Sequence, residues 1–304
     1  MTIYTAARHR AAEPRPRVTA TRTRPPGRGT AGRRRPVNAA AGIAASVWLV
    51  IVAVPLYYIA LTSLRTSDSY LTDGALTPPS GLTLENYRQV VDLGFDTFIF
   101  NSTIVTVITM VLVLLMALPA AYAIVFGGTR AVRATFNTFL LGLAIPAQAV
   151  IIPIYLLITR LHLYDSLTAI ILPTAAFSLP MAIVVLTSTL RDIPRELFDA
   201  MTVDGAGTVE LFRRLVLPLS RPGLVSVGIF SGLNAWNGFI FPLVLTQSEA
   251  RRVIPLGLWN FQSRFGTDVP GLLAAVVLST VPVLALYLFG RRQLLRSLSA
   301  GYGR

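Results

Sequence analysis

The sequence predicts an all-α membrane protein with six transmembrane helices, and two observations lead to this fold class. Of the 304 residues, 53% are hydrophobic and 13% are charged, with a mean hydropathy of +0.62, whereas about a quarter of the residues in a soluble protein are charged. Six runs without Asp, Glu, Arg or His are long enough to cross about 30 Å of hydrocarbon at about 1.5 Å per residue. These runs are residues 39–64, 97–128, 134–159, 166–190, 222–248 and 269–290.

The first 38 residues are predicted to form a disordered basic tail. They hold 10 of the 27 arginines among Pro, Thr and Gly and show no apolar period, so they cannot bury enough apolar surface to fold. We interpret the arginines as a signal that keeps this end in the cytoplasm. A role in binding nucleic acid or anionic lipid is the less favoured alternative, and no nucleic-acid partner is predicted.

The arginines also predict the orientation of the spans, because cations near span ends are retained on the cytoplasmic side. With the N-terminus inside, 21 arginines fall in cytoplasmic segments and 6 in external loops. Without the tail the division is still 11 to 6. We therefore expect a multi-pass protein of a prokaryotic inner or plasma membrane with both termini in the cytoplasm.

The loops divide the chain into predicted segments. After the first span, residues 65–96 form a long external loop with five acids. A membrane domain over residues 97–290 follows, and residues 291–304 are a short cytoplasmic tail. In the last external loop, the stretch IPLGLWNFQ is expected to lie along the membrane surface. The spans of the membrane domain are expected at about 97–126, 135–159, 167–190, 223–247 and 270–290.

The residue types that are missing exclude several kinds of chemistry. There is no lysine, and a Walker A nucleotide site requires one on the phosphates. There is no cysteine, so disulfides and thiolate chemistry are excluded, and the two histidines, His9 and His162, lie outside the predicted spans. Proton-coupled carriers usually place an acid or histidine within the membrane. We predict no catalytic residue, no metal site and no cofactor.

The cytoplasmic loop between the fourth and fifth spans contains the stretch DAMTVDGAGTVELFRRLVLP. Asp192 and Pro194 are expected to start a first short helix, with an apolar face formed by Leu197, Ala200 and Met201. Thr208 is expected to cap a second helix, with an apolar face at Leu211, Phe212 and Leu215 that ends near Pro218. A glycine turn would join the two. The near-neutral charge of this loop favours a dock for a soluble partner over an amphipathic connector on lipid, which is usually basic.

This loop resembles the cytoplasmic signature of one family, the inner-membrane permeases of binding-protein-dependent ABC importers, in particular the carbohydrate group similar to the maltose-type permease. The family signature runs E-A-A, three residues, G, nine residues, I-x-L-P. Here Asp199-Ala200-Met201 stands at E-A-A, with Asp for Glu and Met for Ala, and Gly205 stands at the glycine. Val216 stands at the isoleucine, and Leu217-Pro218 follow it one position away from the strict spacing of the signature. The segments LTLENYRQV, FNSTIVTV, LPAAYAI, NAWNGFIFPLVL and LSAGYGR resemble further family motifs over residues 82–304.

The resemblance implies a type I ABC importer permease bundle whose loop is a coupling helix. It implies an ABC ATPase subunit as the partner of this loop, a second permease subunit, an extracytoplasmic solute-binding protein, a small-molecule sugar as substrate, and membrane lipid around the spans. ATP hydrolysis would take place on the separate subunit, so this chain is not expected to be an enzyme. The coupling residues implied are Glu196, Asp199, Ala200, Met201, Asp204, Gly205, Ala206, Leu217 and Pro218.

Candidates for the substrate pathway lie in the fifth span, where amide and aromatic side chains could contact a sugar. These candidates are Asn234, Trp236, Asn237 and Phe241. Packing against a partner permease is an equally open role for them. The alternative functions are an ion-coupled secondary transporter of small polar solutes, disfavoured by the charge-free spans, and a membrane-embedded transferase, for which catalytic residues are lacking.

Overall fold

A computed structural model describes residues 39–127, 129–263 and 266–300, and they are almost entirely helical. The chain divides into two units, residues 1–50 and 51–304, and in the first unit only the beginning of the first helix is described. The predicted disordered tail, residues 1–38, lies outside the described residues. The helices are α1 Ala39–Thr62, α2 Ser67–Thr72, α3 Glu85–Asp92, α4 Phe95–Phe126, α5 Arg130–Gly142, α6 Ile151–Arg160, α7 Leu167–Arg191, α8 Arg195–Val203, α9 Thr208–Leu211, α10 Leu217–Leu219, α11 Arg221–Trp236, α12 Ile240–Leu245, α13 Ile254–Gly257 and α14 Val269–Ala300.

The helices confirm an all-α membrane fold, although the six spans are not all single helices. Among the described residues, three helices are individually long and apolar enough to cross a membrane: α1, α4 and α7. Counting each of two bent helix pairs as one span raises the number to five. The last helix, α14, has an apolar first half and continues to Ala300, ten residues beyond the predicted end of its span.

The predicted third span, residues 134–159, is two helices that meet at an angle of 97°. Helix α5 ends at Gly142, a short 3-10 turn occupies Ala147–Val150, and α6 follows. Pro146 has an extended backbone at the bend. It cannot donate a hydrogen bond to the carbonyl of Gly142, and it disfavours a helical conformation at the preceding residue. The composition of this run predicts an apolar segment, but the proline breaks it.

The predicted fifth span, residues 222–248, is also divided. Helix α11 ends at Trp236, and α12 begins at Ile240. Pro242 in the first turn of α12 has no N–H for the carbonyl of Gly238, and its ring would clash with that carbonyl in a continuous helix. Asn237, Gly238 and Phe239 therefore form a break in this span.

Helices α4, α7 and α11 form the centre of the bundle, and small residues bring them close together. Gly223 of α11 lies against Thr189 of α7, where an added Cβ would be 2.6 Å from the threonine Oγ1. Gly228 of α11 faces Met110 of α4. Because lipid tails are as apolar as leucine, close packing of this kind is what holds membrane helices together. The apolar core around it includes Val113, Ala117, Leu118, Ala121, Ala182, Ile183, Leu186, Leu190 and Val227.

The predicted last external loop is fastened to the start of α4. The side-chain amide of Asn101 donates to the carbonyls of Ala250 and Arg252, over 2.9 and 2.8 Å, and Ser102 Oγ accepts from the amide of Ile254 at 2.9 Å. In the stretch IPLGLWNFQ, Ile254, Leu256 and Phe261 are buried. These apolar side chains of the stretch therefore pack on the protein, and its expected position along the membrane surface stays a prediction. A two-residue antiparallel pair, Gln262–Ser263 with Gly266–Thr267, follows it.

The predicted first external loop is organised around Arg65, which is 1% exposed. Its guanidinium donates to the carbonyls of Gly74, at 2.8 Å, and Thr77. Asn86 of α3 donates to the carbonyls of Ser63 and Arg65, over 2.9 and 2.8 Å. Residues 65–96 are therefore a folded element carrying α2 and α3, fixed to the end of α1.

Asp165 joins the short loop after α6 to the segment after α12. Its Oδ1 accepts hydrogen bonds from the amides of Gln247 and Ser248, at 2.9 and 3.0 Å, and from the Ser248 hydroxyl at 3.1 Å. These hydrogen bonds lower the pKa of the Asp165 carboxyl, which is a stabilisation of its charged form. The residue itself has a positive φ of 57°, which Asp and Asn tolerate better than most residues.

We expect this contact to make stability depend on pH. A carboxyl whose pKa is lowered by folding contributes stability that is fully present above its unfolded pKa, about 3.9, and is lost as the pH falls through the folded pKa. Asp165→Asn, which keeps the backbone preference, should lower the free energy of unfolding by on the order of 1 kcal/mol at pH 6, since the site is partly exposed. Thermal unfolding of the purified protein in detergent at several pH values measures the difference. It should shrink below about pH 4, and a difference independent of pH would contradict the assignment.

Candidate functional site

The segment between α7 and α11, which is predicted to be cytoplasmic, turns sharply at Gly205. The amide of Gly205 donates to the carbonyl of Thr202 at 3.0 Å, and the amide of Ala206 donates to the carbonyl of Met201 at 2.9 Å. This pair of hydrogen bonds, with φ of +87° at Gly205, is the Schellman motif that ends a helix. A side chain at position 205 would strain the backbone, so the glycine is required by the turn itself.

The two helices predicted for this segment are present, but their first residues differ from the expectation. Asp192 ends α7 and does not cap α8, which follows an extended Pro194. Thr208 is the first residue of α9 and does not cap it, since Gly207 occupies the capping position without a side chain. Both capping assignments were wrong by one to two residues. The capping positions are occupied by Pro194 and Gly207, whose side chains cannot accept a hydrogen bond from the helix.

The buried face of α8 also differs from the predicted one. Phe198 is 7% exposed, whereas Leu197 is 43% exposed and Ala200 is also exposed. Met201, one turn after Phe198, is half-buried against the core. Phe198 and Met201 are three residues apart and therefore lie on the same face of α8. That face packs on the core. The segment has two arms, α8 before Gly205 and Thr208–Leu219 after it. On the second arm Leu211, Phe212 and Leu215 pack on the core as predicted.

An aromatic cluster joins this segment to the C-terminal end of α4. The ring centroids of Phe198 and Phe126 are 4.2 Å apart, and those of Phe212 and Tyr122 are 5.7 Å apart with the rings nearly perpendicular. Tyr122 and Phe126 are themselves in contact at 5.1 Å. Each arm of the segment therefore places one ring on α4, in geometries that are worth about 0.5–1.5 kcal/mol per pair beyond the area they bury.

The second arm contains a π-helical turn over Phe212–Val216, in which the amide of Leu217 bonds to the carbonyl of Phe212. Pro218 follows directly and cannot donate to the carbonyl of Arg214. The chain then bends by 71° into α11. Local widening of this kind commonly marks a functional position in a helix.

The surface around Gly205 carries most of the sequence-predicted coupling residues. Of the nine, Glu196, Asp199, Ala200, Asp204, Gly205 and Leu217 are exposed, while Met201, Ala206 and Pro218 are half-buried. Two residues that sequence reasoning missed, Val203 and Val209, are 87% and 70% exposed on either side of the corner. Glu210 and Arg214 form an ion pair of 2.9 Å on the second arm. The surface around Gly205 thus consists of two exposed valines with charged side chains beside them.

The four candidates in the fifth span do not share one surface. Trp236 and Phe241 are each 7% exposed. Trp236 packs in a cluster with Phe95 and Phe98, and the Phe241 ring lies 5.5 Å from that of Phe177.

The two amides, in contrast, are exposed in this chain. Asn234 Nδ2 lies 3.3 Å from Ser178 Oγ, and Asn237 Nδ2 donates to the carbonyl of Leu233 at 2.8 Å. The structure therefore separates two packing rings from two outward amides, a difference that residue type alone did not show.

Within the described residues, no group of three or more His, Asp or Glu side chains could hold a metal ion. The acids beside Gly205 are spread over the exposed faces of α8 and α9 and do not converge on one point.

Comparison with known proteins identifies the family of the chain. The family described as binding-protein-dependent transport system inner membrane component matches residues 114–299. A putative ABC transporter permease of Caldicellulosiruptor is 38% identical over 84% of this chain and 93% of its own length. A diacetylchitobiose uptake permease of Streptomyces coelicolor is 31% identical, covering 84% and 85%. An arabinooligosaccharide transport permease of Halalkalibacterium halodurans is also 31% identical, covering 83% and 91%.

The fold agrees with this result. A chain of a bacterial ABC transporter that imports the acidic polysaccharide alginate aligns with a TM-score of 0.69 at 21% identity, covering 85% of this chain and 98% of its own. A chain of the MetNI methionine transporter aligns with a TM-score of 0.54 at 17% identity, over 66% of this chain. The chain belongs to the binding-protein-dependent transport system inner membrane components, and it is a multi-pass permease subunit of an ABC importer.

Proposed function

We propose that this permease imports a sugar and that its glycine-cornered loop receives the driving motion from a separate ATPase subunit. The observation that carries the proposal is the two-sided construction of the loop. Its outer side presents Val203 and Val209 beside Gly205, and its inner side places Phe198 and Phe212 on α4. Sugar as the substrate class is supported by the relatives, which are named for diacetylchitobiose and arabinooligosaccharide transport.

The proposed complex contains a second permease, an ATPase subunit and an external solute-binding protein. The absence of lysine supports a separate ATPase, because the chain lacks the residue that a Walker A loop needs. The division of arginines supports a cytoplasmic position for both termini and for the loop around Gly205. The external loops, fixed through Arg65 and Asn101, would then face the binding protein.

The loop can transmit motion because its contacts on the two sides differ. Exposed valines beside a sharp turn fit a groove on the partner, and the ATPase can drive the permease only if it binds two states of the loop with different affinity. The rings of Phe198 and Phe212 would carry a displacement to α4 as a packed unit. The π-helical turn before Pro218 gives the second arm a place to adjust relative to α11.

The pathway is proposed to run along the exposed amides of α11. The Nδ2 groups of Asn234 and Asn237 are hydrogen-bonded within the chain, but an exposed amide oxygen without a partner is costly in lipid. The exposed faces of the two amides are therefore expected to meet either a polar pathway or the second permease. Trp236 and Phe241 are proposed to support this surface from behind, as packing residues.

Reconstitution tests the proposed function. The binding protein encoded with this chain is screened against sugars, beginning with diacetylchitobiose and arabinotriose, and the retained sugar is labelled. We expect uptake into proteoliposomes only when both permeases, the ATPase, the binding protein and ATP on the cytoplasmic side are present. Uptake driven by a sodium or proton gradient without the ATPase would instead support an ion-coupled carrier.

The corner residues give the first prediction for coupling. Gly205 has a positive φ, so a bulky substitution there combines strain with steric block, whereas Gly207 has φ of −77° and open space around it. Gly207→Arg should reduce uptake at least about tenfold by obstructing the partner groove, an effect of about 1.4 kcal/mol or more. Gly207→Ala is the matched control and should stay near the unaltered rate. Normal uptake with Gly207→Arg would place the partner surface elsewhere.

The aromatic contact gives the second prediction for coupling. Phe198→Ala should remove the inner anchor of α8 at a local cost of about 3–5 kcal/mol, so that the complex still hydrolyses ATP while sugar uptake falls. Phe198→Leu should keep most of the uptake, because it retains bulk at the contact. The ratio of sugar transported to ATP hydrolysed is the measurement. An unchanged ratio for Phe198→Ala would show that the contact does not transmit motion.

A further inference from the structure

We propose that Phe239 and Trp259 form a stacking site for the sugar at the outer part of the pathway. This inference rests on the proposed sugar transport and adds the residues that would contact the ring of the solute. The two aromatic rings have centroids 5.6 Å apart and are inclined by 37°. Phe239 is 39% exposed and Trp259 is 49% exposed, so both rings are accessible from outside the chain.

Phe239 lies at the break in the fifth span. The backbone between α11 and α12 leaves helical geometry at Asn237, and α12 resumes at Ile240 because Pro242 and Gly238 prevent a continuous helix. The neighbouring rings Trp236 and Phe241 are buried. The break therefore turns one aromatic side chain outward between two that pack inward, at the point where the span leads toward the last external loop.

Trp259 is placed by a loop that is held on both sides of it. Before it, Asn101 and Ser102 fasten residues 250–254 through three hydrogen bonds. Leu256 and Phe261, on either side in sequence, are 8% and 5% exposed. The exposure of Trp259 is thus imposed by a packed backbone and is not the result of a loose loop. A large aromatic residue held open in this way is the residue type that dominates recognition sites.

The chemistry of the pair fits a carbohydrate. The face of an aromatic ring carries partial negative charge. The C–H groups on one face of a pyranose or furanose ring carry partial positive charge, so the two faces attract each other. Asn237, an exposed amide two residues before Phe239, keeps its Oδ1 available to a sugar hydroxyl while Nδ2 binds Leu233. A few polar groups beside an apolar wall are typical of small-molecule sites.

A membrane surface is the competing occupant, because tryptophan is enriched at the level of lipid headgroups. The structure favours the sugar for two reasons. The ring of Trp259 is paired with a second exposed ring from a different element, and exposed amides occur at Asn234 of α11 and at Asn237, two residues before Phe239. Amides of that kind are disfavoured on a lipid-facing surface.

The test uses the complete importer in proteoliposomes with the labelled sugar that its binding protein retains. Trp259→Ala and Phe239→Ala should each lower uptake at least about tenfold, while the ATP hydrolysis stimulated by the binding protein stays within about twofold. Trp259→Phe and Trp259→Tyr should restore most of the uptake, and Trp259→Leu should not. The double variant should lose less than the product of the single losses, as expected for two residues that act on one ligand.

Phe100→Ala is the matched control, because Phe100 is also an exposed ring, 64% open, at the same end of α4 that binds the last external loop. It should leave uptake unchanged. The lipid alternative is measured by quenching of Trp259 fluorescence with brominated phosphatidylcholine, in a protein whose other two tryptophans, Trp48 and Trp236, are replaced by Phe. We expect weak quenching by the lipid and a change of emission when the sugar is supplied with its binding protein.

Two results would overturn the inference. Uptake unchanged in Trp259→Ala and Phe239→Ala would show that the rings do not contact the solute. Rescue by Trp259→Leu together with strong quenching by brominated lipid would show that Trp259 is a membrane anchor. Failure of the proposed function itself is distinct, because it would appear as absence of ATP-dependent sugar uptake in the unaltered importer.

Discussion

The contact between Phe198 and Phe126 connects the two functional parts of this permease. One ring belongs to the short helix α8 and the other to the end of the long membrane helix α4, and their centroids are 4.2 Å apart. Together with its companion between Phe212 and Tyr122, this contact adds to the apolar packing of Met201, Leu211 and Leu215 that holds the loop on the bundle. A packed aromatic cluster resists compression and shifts as a unit, which is the property a mechanical connection needs.

Proline determines where the membrane helices are interrupted. A helix in lipid must satisfy its backbone groups internally, and non-helical backbone is tolerated where it is buried in protein or lines a cavity. Pro146 ends one helix of a predicted span, Pro242 separates α11 from α12, and Pro218 accompanies the π-helical turn. Two of these positions coincide with sites proposed for function, which are the outer aromatic pair and the loop that meets the ATPase.

Much of the architecture could be predicted from the sequence, because charge-free runs and arginine positions report directly on burial in lipid. The glycine corner was also predictable, since Gly205 follows a helical run and only glycine suits its backbone. The breaks in the third and fifth spans were not predicted, because hydropathy does not record the path of the backbone. The buried face of α8 was predicted wrongly for a related reason. Spacing alone allowed either Leu197 or Phe198 to face inward, and Phe198 is the one buried because its ring packs against Phe126. For the same reason the amides and rings of the fifth span could not be sorted into outward and inward groups before their neighbours were known.

The turn at Gly205 is made by two backbone hydrogen bonds and one glycine. None of the exposed side chains around it, including Asp199, Val203 and Val209, takes part in forming the turn. These positions are therefore free to change without altering the course of the chain. The residues that form the turn are therefore different from the exposed residues proposed to contact the ATPase. During evolution, substitutions at the exposed positions can change the partner of such a permease while the backbone of the turn stays the same.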